Sequence, residues 1–103
     1  MGAKRAIVLN SKDNVAVAVE NVEPDDQVSL ETIGAPVRML LAKEKIPFGF
    51  KIALADIPRG GDLIKHGEIM GIATTDIGMG NQVHVHNVQG KRAQSEGGKG
   101  GTK

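Results

Sequence analysis

Cysteine, tryptophan and tyrosine are all absent from this 103-residue chain, and Phe48 and Phe50 are its only aromatic residues. Without cysteine there is no disulfide framework, no thiolate metal site and no cysteine nucleophile, a pattern that fits a cytoplasmic protein. Without a set of aromatic rings there are no platforms on which the bases of a single strand could stack. Long apolar runs are missing too. After Met1-Gly2-Ala3-Lys4-Arg5 only Ala6 to Leu9 are apolar before Asn10, too short for a signal-peptide core. No stretch approaches the roughly 20 apolar residues of a membrane span. Neither charge sign dominates: the formal net charge is +1, so no global field draws nucleic acid or a membrane surface.

What is present is one small domain with an aliphatic core of Val, Ile, Leu and Ala. Acidic residues gather at Glu20, Glu23, Asp25, Asp26 and Glu31, and basic ones towards the end at Lys91, Arg92, Lys99 and Lys103. The last stretch is rich in glycine and has no apolar residue after Ala93. We read residues 1–88 as the folded body and 89–103 as a flexible basic Gly-rich tail. A tail that touches RNA is the weaker alternative to a solvated one.

Along the body, short alternating runs are punctuated by turn chemistry. Arg5–Leu9 reads as a buried strand, Lys12-Asp13-Asn14 as a turn, and Asn14–Glu20 as a strand with Val15, Val17 and Val19 on one face and Ala16 and Ala18 on the other. Gln27–Ile33 is another strand, and Val37–Ala42 a strand or a helical turn. Turns fall at Glu23–Asp26, Gly34–Pro36, Ile46–Gly49, Pro58–Asp62 and Gly78–Asn81, with Asp56 and Asp76 expected to close turns. Leu63–Glu68 reads as a short strand ending in glycine, and Ile69–Ala73 as the next. Turns recur about every ten residues without a helical period, which predicts an all-β barrel or clip. No repeat of fixed period is visible. The glycine pairs are not followed by Lys-Ser/Thr, so no phosphate loop is expected.

The run Val83-His84-Val85-His86-Asn87 carries the chemistry. On a strand, residues two apart share a face, so His84 and His86 would project side by side, their Cα atoms about 6–7 Å apart. Two imidazoles at that spacing can converge on one metal or one anionic ligand. A half-exposed strand that happens to hold two histidines is the plain alternative. Lys51 and Lys65 could meet a substrate carboxylate or be surface lysines. Asp13 and Asn14 could bind ligand or only form their turn.

Taken in order, Asp13-Asn14-Val15-Ala16-Val17-Ala18, then Ile46-Pro-x-Gly-x-Lys51-x-Ala53-Leu54, then Ile64-Lys65-x-Gly67-Glu68-x-x-Gly71, then His84-Val85-His86-Asn87 resemble one family. It is the SAF domain of the altronate and galactarate dehydratases, equally the small (alpha) subunit of the related sulfolactate sulfo-lyase. The resemblance covers Ile7 to Asn87 and implies a small, bent SAF-type β-clip. It implies a lyase that removes water or sulfite from a 2-hydroxy acid to give a 2-oxo acid. It also implies a divalent metal, usually iron(II), and a separate large (beta) catalytic subunit without which this chain is inactive. A homo-oligomer is left open. It implies His84, His86 and His66 as catalytic candidates, His84 and His86 as metal ligands, and Lys51, Lys65, Asn87, Asp13 and Asn14 as substrate-binding residues. Three departures stand out: Phe50 and Asn10 replace residues that are usually histidine in the family, and His66 replaces a usual tyrosine, so His66 could compensate for Phe50. A second reading is a non-catalytic SAF module that binds a carbohydrate acid.

Overall fold

A computed structural model describes residues 3–90 of the chain. The expected tail beyond residue 90 lies outside the described residues. Among them there are nine strands and no helix: β1 Lys4–Val8, β2 Val15–Ala18, β3 Gln27–Thr32, β4 Arg38–Leu41, β5 Lys51–Ala53, β6 Asp62–Lys65, β7 Glu68–Ala73, β8 Gln82–Val83 and β9 Val88–Gly90. The expected all-β SAF-type module is what the chain forms. Val37–Ala42, open between strand and helical turn in the sequence, is a strand.

A six-stranded sheet runs β4-β3-β1-β2-β5-β8, and a three-stranded sheet runs β6-β7-β9. All pairings are antiparallel except β1 with β3, which lie parallel from Lys4↔Val28 to Val8↔Thr32. Parallel neighbours need a long crossover, and here the intervening chain supplies it by laying β2 against the other side of β1. β9 carries the body past residue 88, because Val88 to Gly90 pair with Ala73 to Gly71. A side chain on Gly71 would collide with the Gln89 carbonyl.

The recurring turns are one device used four times. Each unit opens with an alanine (Ala18, Ala42, Ala53, Ala73) and places Val22, Ile46, Ile57 or Ile77 four residues on. Three residues later comes a left-handed residue: Asp25 (φ 71°), Gly49 (88°), Gly60 (83°) or Gly80 (91°). The next N–H bonds back to close a type II turn, at Asp26→Glu23, Phe50→Pro47, Gly61→Pro58 and Asn81→Gly78. A strand follows each time.

The units dock in two reciprocal pairs. Val22 and Ile46 exchange two backbone hydrogen bonds of 2.9 Å, and Ile57 and Ile77 exchange two of 2.7 and 2.8 Å. Each left-handed residue donates to its partner's alanine: Asp25 to Ala42, Gly49 to Ala18, Gly60 to Ala73, Gly80 to Ala53. These alanines are fully buried, so a larger side chain would push the docked turn away. Asp56 and Asp76 close turns as expected, but across the pair: Asp56 accepts from Met79 N–H and Asp76 from Arg59 N–H. Asn21 accepts in the same way from Phe48 N–H. The fourth equivalent is Lys45, and it faces Pro24, which has no N–H to offer. The units are unevenly spaced, which is why no fixed period shows in the sequence.

The core follows this division. One cluster joins Ala6, Val8, Ala16, Ala18, Val22, Val28, Leu30, Leu40, Ala42, Ile46, Ile52 and Leu54, with Phe50 packed at its margin. A second joins Val15, Ala53, Ile57, Leu63, Ala73, Ile77 and Val83. The sequence reading of β2, with its valines packed and alanines merely covering them, is corrected here. Ala16 and Ala18 point into the larger cluster, Val15 joins the smaller one, and Val17 is only half-buried. β2 is a central strand buried on both faces because a second sheet covers its far side.

Candidate functional site

Two corners hold the residues singled out by the sequence. In the first, the expected single strand Leu63–Glu68 is instead a hairpin: β6 and β7 are joined by His66 (φ 58°) and Gly67 (φ 79°). Two positive φ angles make a type I′ turn, and histidine is among the few side chains that enter the left-handed region with any frequency. The Asp13 carboxylate, buried beneath it, accepts the two N–H groups of the turn, from His66 at 2.9 Å and Gly67 at 2.8 Å. Asn14 accepts from Ile64 N–H and donates to the Asp62 carbonyl, both at 2.8 Å. Asp13 and Asn14 thus tie the small sheet to the large one, and their side-chain polar atoms are committed to backbone.

The second corner corrects the histidine strand. β8 ends at Val83, and His84–Asn87 form a turn closed by Asn87 N–H to the His84 carbonyl at 3.0 Å. The buried Asn87 side chain sets that turn, donating to the Gln82 carbonyl at 2.8 Å and accepting from His84 N–H at 2.9 Å. The chain therefore doubles back just where the Val-His alternation suggested continuation. The signal in the sequence was Asn87, a residue that bonds nearby backbone in turns. His84 and His86 do not share a strand face. The His84 ring stacks on Phe50, centroids 3.9 Å apart and planes at 28°, while His86 is exposed. Among the described residues no three His, Asp or Glu side chains come together to hold a metal, so His84 and His86 do not complete an iron(II) site with other described residues.

His84 does meet two other predicted residues. A cleft of about 250 Å³ between the sheets is lined by Lys51, Lys65 and His84, with Leu63, Met70, Val85, Val88 and Gly90 completing it. Lys51 comes from β5, Lys65 from the end of β6, and His84 from the turn after β8. Burial, and secondarily the Lys65 charge, hold the Lys51 ammonium below the usual lysine range. The ion pairs among the described residues are Lys4–Asp26 and Arg5–Glu31, so neither cleft lysine has a carboxylate partner there. A larger cleft of about 410 Å³ takes in Asp13, Asn14, Ser11, Thr32 and Arg38. Its two most conspicuous members are those already bonded to the hairpin.

Residues 4–91 match the family model described as the altronate/galactarate dehydratase SAF domain. The chain belongs to this family. It is 36% identical over 83 residues to altronate dehydratase of Escherichia coli (strain K12), covering 81% of this chain and 16% of that protein. It is 31% identical over 86 residues to altronate dehydratase of Bacillus subtilis (strain 168), covering 84% and 16%. It is 42% identical over 53 residues to (2R)-sulfolactate sulfo-lyase subunit alpha of Paracoccus pantotrophus, covering 52% of this chain and 79% of that one. The chain thus spans about one sixth of the length of the altronate dehydratases it matches.

Phe50, Asn10 and His66, set apart by the resemblance, are divided between the two corners. Phe50 is the ring beneath His84. Asn10 lies against the hairpin, its Nδ2 3.0 Å from where a Gly67 side chain would begin. His66 belongs to that Asn10 corner, so the histidine beside Phe50 is His84 and not His66.

Proposed function

We propose that this chain is the SAF module of a lyase that converts a 2-hydroxy acid to a 2-oxo acid together with a large catalytic chain. The observation that supports this is the cleft: two lysines and a histidine face a half-buried space, and neither lysine forms an ion pair among the described residues. Such a site takes an anion. In the reaction class, loss of the C2 proton places negative charge on the adjacent carboxylate, and fixed ammonium groups there stabilise it as it develops. Lys51 and Lys65 hold the acid group, and His84, braced on Phe50, orients it. Lys65 owes its place to Asp13 through the hairpin turn. An iron(II) ion, where this enzyme uses one, is held by the large chain.

The test is co-expression with the large lyase chain, then sizing and turnover. The expected result is a shared peak and an active complex whose kcat/KM falls about 10²-fold or more when Lys51→Met and Lys65→Met are combined. Full turnover in the double variant would remove the cleft from the reaction. The second reading, a non-catalytic module for a carbohydrate acid, draws on Phe50, the ring stacked against His84, which can neither ligate metal nor move a proton. It predicts acid binding without turnover in any complex.

A further inference from the structure

One apolar run lies uncovered by any other described residue. From Ile33 to Met39 seven consecutive residues are exposed, and Arg38 carries their only charge. They form the loop between β3 and β4 and the start of β4, the outer strand of the large sheet. Gly34 (φ 80°) turns the loop back, and Ala35 N–H donates to the Thr32 carbonyl at 3.2 Å. Ile33 is left wholly in solvent. Val37, Met39 and Leu41, two residues apart along one face, are each more than half exposed. Single exposed apolar side chains are ordinary, but a consecutive run of them marks a contact surface. Behind the loop lies the cleft of about 410 Å³, lined by Val8, Leu54 and Pro36, by Arg38, and by Asp13 and Asn14.

Charge decides what covers this surface. Arg38 forms no ion pair among the described residues, and neither does the exposed Lys12, next to Ser11 of the same cleft. The nearest carboxylates are committed: Asp13 to the hairpin turn and Glu31 to Arg5. A second copy related by a two-fold axis would set Arg38 and Lys12 against their own images, with no carboxylate in return. Residues 91–103 carry Lys91, Arg92, Lys99 and Lys103 against Glu96 alone, and no apolar residue after Ala93, so they match neither the charge nor the apolar face. The third source is a partner chain. The match to the altronate dehydratases covers 16% of their length, so most of each of those proteins is chain against which such a module can rest.

We propose that the loop 33–37 and the start of β4 dock into an apolar groove of the large catalytic chain, where an acidic residue meets Arg38. The proposal rests on the reading of this chain as one module of a two-chain lyase. Pro36 and Arg38 are exposed on one face and Val37 and Met39 on the other, and a projection open on both faces fits a groove better than a flat surface. Asp13 and Asn14 line the cleft behind the loop and clamp the hairpin that follows Lys65, so the contact adjoins the anion site.

The experiment measures the affinity of the full-length chain for the large lyase chain. Ile33→Asp combined with Val37→Asp should weaken it about 30-fold or more, as for side chains at the centre of an interface. Arg38→Glu should weaken it about tenfold at low salt and make it less sensitive to added salt. These positions are exposed, so the melting temperature of the free chain should stay the same. Phe48→Ser, at an exposed aromatic on a different turn, should bind like the parent. In the free chain a soluble paramagnetic probe should broaden the Ile33 and Val37 methyl resonances. Protection of those methyls would mean that a second copy or residues 91–103 already cover the loop, and would overturn the proposal. Loop variants that bind like the parent would overturn it and leave the two-chain reading standing. If the parent chain does not bind the large chain at all, that reading falls and the proposal with it.

Discussion

The hairpin corner and the cleft each gather polar side chains and do opposite things with them. At the hairpin, both Asp13 oxygens and both polar atoms of Asn14 are taken by backbone groups of β6 and its turn. At the cleft, Lys51 and Lys65 have no ion-pair partner among the described residues, and His84 has a ring beside it rather than a carboxylate. Satisfied polar groups hold structure in one geometry. Unsatisfied ones of a single sign, half-buried, raise the energy of the empty state and leave it to be lowered by a ligand. The two corners are coupled, because the turn that Asp13 clamps directly follows Lys65.

The largest effect should come from breaking the satisfied corner. In Asp13→Ala the two turn N–H groups lose a charged acceptor in a partly buried place, and hydrogen bonds to charged groups contribute about 1.5–3 kcal/mol each. Water can replace part of this, so we expect a loss of about 2–3 kcal/mol, read as a fall in the denaturant midpoint with unchanged slope. Anion affinity should fall as well, since Lys65 is no longer held. A variant of normal stability would show that the hairpin is held by β6–β7 pairing alone.

The contrast also separates what the sequence made legible from what it did not. β1, β3 and the turns at Gly49, Gly60 and Gly80 were readable, because alternation and left-handed glycines are local signals. The sequence singles out Lys51, Lys65 and His84 separately, and their meeting at one cleft is not legible in it, because they come from three elements of two sheets. The commitment of Asp13 and Asn14 was hidden because their partners lie more than fifty residues along the chain, apart from Ile64 and Asp62, which are nearly as far. The four docked turns escaped notice because each shares only a small residue, a branched one and a left-handed one, at uneven intervals. The histidine strand was misread because Val-His alternation outweighed the one asparagine that ends it.

A smaller effect, of opposite sign, is expected at the unsatisfied corner. Lys51 has a proton affinity below normal in the folded chain, so its charge opposes folding at neutral pH. Between its lowered folded value and the ordinary 10.5 the unfolded chain binds more protons, and stability rises with pH across that window. Lys51→Met should therefore be more stable than the parent at pH 7. Solvent still reaches the ammonium, which limits the gain to about 0.5 kcal/mol. The gain should shrink as pH climbs towards 10.5, checked by thermal melts at several pH values. A variant less stable at pH 7 would mean that the Lys51 stem contributes more by packing than its charge takes away.

The two histidines should respond unequally, with His86 giving the smallest effect of all. His86 is exposed in a turn, and substitutions at such positions usually stay within about 0.5 kcal/mol. His86→Ala should leave stability and anion affinity nearly unchanged. His84→Ala removes a stack worth about 0.5–1.5 kcal/mol and one wall of the cleft, so it should lower stability slightly and anion affinity severalfold. The earlier expectation of a pair that acts on one metal makes a different prediction: the two single variants would lower metal content and turnover of the assembled enzyme alike. Measured side by side in that complex, unequal effects place His84 with the cleft and His86 outside it. Equal effects would mean that a partner chain reaches both histidines and brings together across an interface what this chain, on its own backbone, turns apart.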